Sequence, residues 1–245
     1  RACDTPRILR PRVLSGARRV RVLPPPLRPR PLIPRPRCCR RRSHLRQGTM
    51  APDILCIGSV LWDIIGHARA ALPRGADMPG RITRAPGGVA LNVAAALARL
   101  GLRPGLLTAI GRDAEGEALI AACVRLGLVT AHVHRPGHLP TDRYMAIEDA
   151  DGLVAALADA GTLEAAGNAI LAPLGDGTLG SAARPWGGTL VLDGNLAGGL
   201  LAEIAVSPLF RDADLRVVPA SPVKALRLRP LMAHPRATFH LNRAE

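Results

Sequence analysis

Residues 50–245 predict an α/β fold, a mainly parallel sheet covered by helices on both faces with a small accessory sheet beside it. Two observations carry that prediction. Short apolar runs alternate with helical patterns along the segment, and strand–helix alternation implies parallel strands buried on both faces. Two more polar strand regions, 78–84 and 131–157, do not suit a buried sheet and are assigned to the accessory one.

The elements follow in order. "DILCIGS" (53–59) is an apolar run ending near Gly, read as a buried strand. "MPGRITR" (78–84) is a short polar strand. Val89, Val93, Leu97 and Leu100 fall at offsets 0, 4, 8 and 11, a helical stripe closed by Gly101. "PGLLTAIG" (104–111) is the next strand, and "AEGEALIAACVRLG" (114–127) the next helix, again ending on Gly. Between 131 and 157, "AHVHR", "TDRYMAIED" and "GLVAAL" alternate about a "DADG" turn, the pattern of an antiparallel hairpin. Strands are expected near 189–193, 215–218 and 238–241, with helical patterns between them.

Composition divides the chain. The first 49 residues hold fifteen Arg against one Asp, and nine of the 23 prolines, whereas residues 50–245 carry eighteen basic and eighteen acidic residues. Like charge and Pro at that density prevent burial of enough apolar surface to offset the ordering entropy. Residues 1–49 are therefore read as a disordered arm outside the functional protein, with Met50 as the start of the domain. A nucleic-acid tail and a transit peptide are the alternatives for the arm. The neutrality of the domain and the 2% aromatic content of the whole chain argue against nucleic-acid binding. No uncharged apolar run approaches the length of a membrane span, and the cysteines form neither a CxxC pair nor a disulfide framework, as expected for a reducing cytoplasm.

In an open parallel sheet, ligands bind beyond the C-terminal strand ends, where loops feed helix N-termini. Gly87 and Gly88 open the Ala-rich helix at such a junction, admit a ligand close to the backbone, and leave helix-start N–H groups free. Asn92 stands one turn further on the same face, and its amide both donates to and accepts from hydroxyls. Asp63, four residues beyond the first strand, is expected at the same sheet edge, where its carboxylate accepts from two hydroxyls. The plainer alternative is that the glycines only make a turn and Asn92 caps a neighbour. His132, His134 and His138 lack a carboxylate or Cys to complete a metal set, and of the two readings of Lys224, a substrate contact or a surface residue, the surface one is taken.

"GGVALNVAAALARLG" resembles the N-terminal signature of the PfkB carbohydrate kinases, which have the ribokinase-like fold. "CIGSVLWDIIG", "AIGRDAEGEAL" (with Gly111, Asp113 and Gly116) and "TDRYMAIEDADGLVAAL" are similar to further elements of that family; "VLDGNL" and "ASPVKALRL" look most like its pseudouridine-kinase branch. The resemblance implies a three-layer αβα sandwich with a β-sheet lid, incomplete at the C-terminus, and ATP-dependent phosphorylation of a sugar or nucleoside hydroxyl. It implies substrate contacts from Asp63, Gly87, Gly88 and Asn92, and a homodimer formed through the lid is expected with it. "HLNRAE" resembles the Asn-x-x-Glu element that organises magnesium and phosphate, here Asn242 and Glu245. The family's catalytic base lies in a Gly-Ala-Gly-Asp segment absent from these 245 residues, so the chain is expected to be an inactive fragment with no catalytic residue of its own. A non-catalytic sugar- or nucleoside-binding module is the alternative.

Overall fold

The structure, a computed structural model, describes residues 51–243; the arm, Met50, Ala244 and Glu245 lie outside the described residues. Five parallel strands form the main sheet: β1 (Ile54–Ile57), β4 (Pro104–Leu107), β7 (Thr189–Asp193), β8 (Asp214–Val218) and β9 (Ala237–Phe239), in the order β4-β1-β7-β8-β9. Every residue of β1 and β4 is buried, as continuous apolar runs covered on both faces require. The period-2 alternation sends Leu55 and Ile57 to one core and Ile54 and Cys56 to the other. The Cys56 core is closed by α1 (Val89–Arg99) and α2 (Ala114–Arg125). The opposite core is closed by the short α3 (Gly161–Ala166) and α4 (Ala172–Gly175), by α5 (Gly198–Val206), and by the turns carrying Phe210 and Leu231. A further short helix, α6 (Pro222–Ala225), follows β8. The three-layer sandwich is therefore present.

Four strands make the second sheet, in the order β3-β2-β5-β6: β2 (Leu61–Ala68), β3 (Gly80–Gly87), β5 (Arg143–Asp149) and β6 (Gly152–Asp159). β2 pairs parallel with β5, and the other two pairings are antiparallel. The expected hairpin turns at Ala150 and Asp151, and β6 begins at Gly152, where φ is +120°.

The structure corrects several expectations. The segment 131–142 is not part of the small sheet. It runs beside β4 instead, with isolated parallel bridges Gly105–Val129 and Ala109–His134. β2 was not expected at all, so Asp63 sits within a strand rather than in a loop past β1. The buried face of α1 is Ala90, Leu91, Ala94 and Ala95, while Leu100, placed in the predicted stripe, is 80% exposed. Small residues dominate that face because the helix lies close against β1 and β4, where a larger stripe would not fit.

The small sheet is fixed to the sandwich at its base. Trp62 Nε1 donates to the Glu115 carbonyl at 3.0 Å, and the Arg84 guanidinium stacks 3.8 Å from the Trp62 ring centroid while pairing with the Glu115 carboxylate. Just before β5, the buried Asp142 accepts from Thr162 N and Leu163 N at 2.9 and 3.0 Å, which caps the start of α3.

Candidate sugar-binding site

The register of the small sheet aligns Ala85, Asp63, Tyr144 and Ala158 in one row across β3, β2, β5 and β6. Paired residues present their side chains on the same face, and Asp63, Tyr144 and Ala158 line one wall of a cavity of about 260 Å³. Its second wall is the start of α1, with Gly88, Val89 and Asn92. Its floor lies past the C-terminal ends of β1, β7 and β8, with Ser59, Asn195 and Lys224. Three of the four expected substrate contacts, Asp63, Gly88 and Asn92, are thus brought together in the place an open parallel sheet reserves for ligands. Gly87 is not among the lining residues; it leaves room for the Asp63 carboxylate, with which a Cβ there would collide.

Asp63 is half-buried, and among the described residues no donor reaches its carboxylate. Burial pushes its pKa above the ordinary value of 3.8. A desolvated carboxylate without a partner is costly, and hydroxyl groups delivered by a ligand would relieve that cost.

The helix start behaves differently from expectation. Gly88 has φ +97° and a Cβ there would strike the Ser59 backbone, so its glycine serves the chain's own packing as well as the cavity. The first N–H groups of α1 are not free. Val89 N donates to Ser59 Oγ at 2.9 Å, Ala90 N to Asp193 Oδ2 at 3.2 Å, and Leu91 N to the Ser59 carbonyl at 3.4 Å. Asp193, the last residue of β7 and fully buried, also accepts from Ser59 N and Ser59 Oγ, both at 2.8 Å, and from Asn195 N at 2.8 Å. It caps α1 from across the sheet. Gly58, φ +146°, makes room, since any Cβ there would overlap the Asp193 carboxylate.

Sequence reading missed Asp193, Ser59 and Asn195, and it misplaced Lys224. The lysine is half-buried and lines the cavity, with Nζ donating to Asn195 Oδ1 at 2.6 Å. "VLDGNL" was the available signal, a polar Asp-x-Asn closing a buried strand. Asn242 lies beyond β9 at the far edge of the sheet, exposed and away from the cavity lining, and Glu245 is outside the described residues. Among the described residues there is no cluster of three His, Cys, Asp or Glu that would hold a metal, and no helix long and apolar enough to cross a membrane.

Comparison with known proteins agrees with this architecture. Residues 51–171 match the pfkB family carbohydrate kinases. A pseudouridine kinase of Escherichia coli (strain K12) is 34% identical over 100 residues, 40% of this chain and 32% of that protein, so the chain spans about a third of that relative's length. A carbohydrate kinase from Agrobacterium tumefaciens superposes with a TM-score of 0.61 at 27% identity, covering 74% of this chain and 58% of that one. The Arabidopsis thaliana ribokinase solved with ribose and ATP superposes at TM-score 0.50 and 16% identity, over 73% of this chain and 63% of that one, a likeness of fold alone. With the sandwich, the small sheet and the cavity between them in place, the architecture agrees with the match of residues 51–171 to the pfkB family of carbohydrate kinases.

Proposed function

We propose that the cavity binds a sugar or nucleoside, and that the protein is an ATP-dependent kinase of a hydroxyl on that ligand. The observation that carries the reading is Asp63, a half-buried carboxylate without a donor among the described residues, facing a cavity it shares with Asn92 and Gly88. An ionised carboxylate accepts from two hydroxyls, and the Asn92 amide both donates and accepts, which together fit a vicinal diol. The small sheet acts as a lid that excludes water from the bound ring. ATP would supply the phosphoryl group, and by the family resemblance Asn242, which stands apart from the sugar cavity, and Glu245 would help to organise magnesium and the phosphates. A reducing cytoplasm suits the two described cysteines, both buried thiols, with Cys56 pushed up to about 12 by desolvation and the Asp193 charge, and Cys123 to about 11 by desolvation.

The test is calorimetric titration of this chain with ribose and with pseudouridine. Binding is expected, and Asp63→Ala is expected to weaken it about ten- to hundredfold, the worth of one hydrogen bond to a charged acceptor. Unchanged affinity in Asp63→Ala would remove the residue from the site. The 245 residues contain the binding constellation but no Gly-Ala-Gly-Asp segment. This chain is therefore expected to bind without turnover when given ATP and magnesium. Phosphorylated product whose formation tracks with the purified chain would overturn that.

A further inference from the structure

We propose that Lys224 determines specificity in this cavity: its ammonium donates to a carbonyl or phosphate oxygen on the ligand. The site then takes a hydroxylated ring that carries such an oxygen in preference to a bare sugar. The inference rests on the sugar-or-nucleoside reading and deepens it.

Lys224 is the chain's single lysine, and its ammonium is held in place. Asn195 Nδ2 donates to Ser59 Oγ at 2.9 Å and lies 3.4 Å from Asp193 Oδ2. Turning that amide over would set its oxygen against the carboxylate and its NH2 against the ammonium, so its orientation is dictated by charge on both sides. Asn195 Oδ1 is thereby fixed as the acceptor for Lys224 Nζ, at 2.6 Å. Asp193 in turn is locked by the start of α1 and by Ser59. The chain Asp193–Asn195–Lys224 therefore anchors a cation at the cavity floor.

That cation is under-used. An ammonium has three donors, and Asn195 takes one. Among the described residues no carboxylate forms an ion pair with Lys224. The cavity thus has an acceptor, Asp63, on the wall contributed by the small sheet, and a donor cation on the floor. Hydroxyls of a bare sugar are matched by Asp63 and Asn92 and give the ammonium no strong acceptor. A pyrimidine carbonyl or a phosphate oxygen does, and a site built to donate a hydrogen bond discriminates against ligands lacking the acceptor.

The experiment titrates ribose, pseudouridine and ribose 5-phosphate into the full 245-residue chain, as wild type, Lys224→Met and Lys224→Arg, with thermal melts to confirm that each variant is folded. Wild type is expected to bind pseudouridine, ribose 5-phosphate or both about ten- to hundredfold more tightly than ribose. Lys224→Met should lose that margin and keep its affinity for ribose, and Lys224→Arg should retain most of the margin. A margin confined to pseudouridine identifies the acceptor as a base carbonyl, and one confined to ribose 5-phosphate identifies it as a phosphate. If Lys224→Met keeps the full margin, or weakens all three ligands equally, the inference is overturned while the sugar-binding reading stands. If wild type binds none of the three, the sugar-binding reading itself falls, and the inference with it.

Discussion

Burial raises the pKa of Asp63 above its ordinary 3.8, and the sign of that shift has two consequences. A carboxylate whose folded pKa exceeds its unfolded one favours the fold while protonated, and that contribution is lost as pH rises through the folded value. At neutral pH the ionised Asp63 therefore works against stability. Asp63→Asn is expected to melt no lower than wild type at pH 7 while binding sugar more weakly, a pairing that a merely structural Asp would not give. Ligand affinity in wild type should fall on acidification, beginning above pH 3.8, and Asp63→Asn should flatten that profile. Gly88 is the contrasting case. Its φ of +97° and the Ser59 carbonyl against its missing Cβ mean that Gly88→Val strains the backbone before it touches any ligand. Its melting temperature should drop by several degrees together with binding, as a thermal melt would show.

At the scale of the element, Asp113 holds two pieces together. It caps α2 by accepting from Gly116 N at 2.7 Å, and it accepts from Thr141 N at 2.9 Å and from the Thr141 hydroxyl, just ahead of β5. Burial acts to raise its pKa, but the hydrogen bonds from Thr141 and Gly116 outweigh it and hold the carboxyl below 3.8. The sign is opposite to that of Asp63: the stabilisation is present above pH 3.8 and is lost as pH falls through the lowered value. Asp113→Ala should cost about 1–2 kcal/mol at neutral pH, the worth of an N-cap, and the deficit should shrink in acid. Equilibrium denaturation at two pH values checks both. Elements of this kind were legible in the sequence because their signals are local: apolar β1, the Gly-bounded helices α1 and α2, and the turn between β5 and β6. β2 was not legible, because "LWDIIGHA" lacks a clean alternation, contains Gly66, and is buried at one end and half-exposed at the other. Asp63 and Asn92 were found through a local signature. The Ser59–Asp193 contact joins residues 134 positions apart, and no short window carries it. Lys224 was misread for the same reason, since only the packing of β8 beside β7 brings it to Asn195.

On the scale of the whole molecule, the two faces of the small sheet have different tasks. Asp63, Tyr144 and Ala158 turn toward the cavity. The alternate row pairs Ile64, Met145 and Leu157, and the next pairs Ile82, Gly66 and Ile147, all on the opposite face. On that face Leu157 is 75% exposed, Ile82 78% and Met145 49%. Contiguous apolar surface of this kind on a monomer marks an interaction site. The homodimer through the lid that the family resemblance leads one to expect would cover it with the same face of a second copy, a two-fold arrangement in which each apolar row meets its equivalent. A specific interface removes about 800 Å² from each partner. Because the two faces belong to the same strands, dimerisation would stiffen the wall that carries Asp63. Sedimentation equilibrium of the wild-type chain is expected to show a dimer. Leu157→Glu, which sets two like charges against each other across the two-fold axis, is expected to give a folded monomer with weaker sugar binding. Wild-type chain that sediments as a monomer at every concentration tested would show that the apolar face serves another purpose. A dimer that survives Leu157→Glu would place the interface elsewhere.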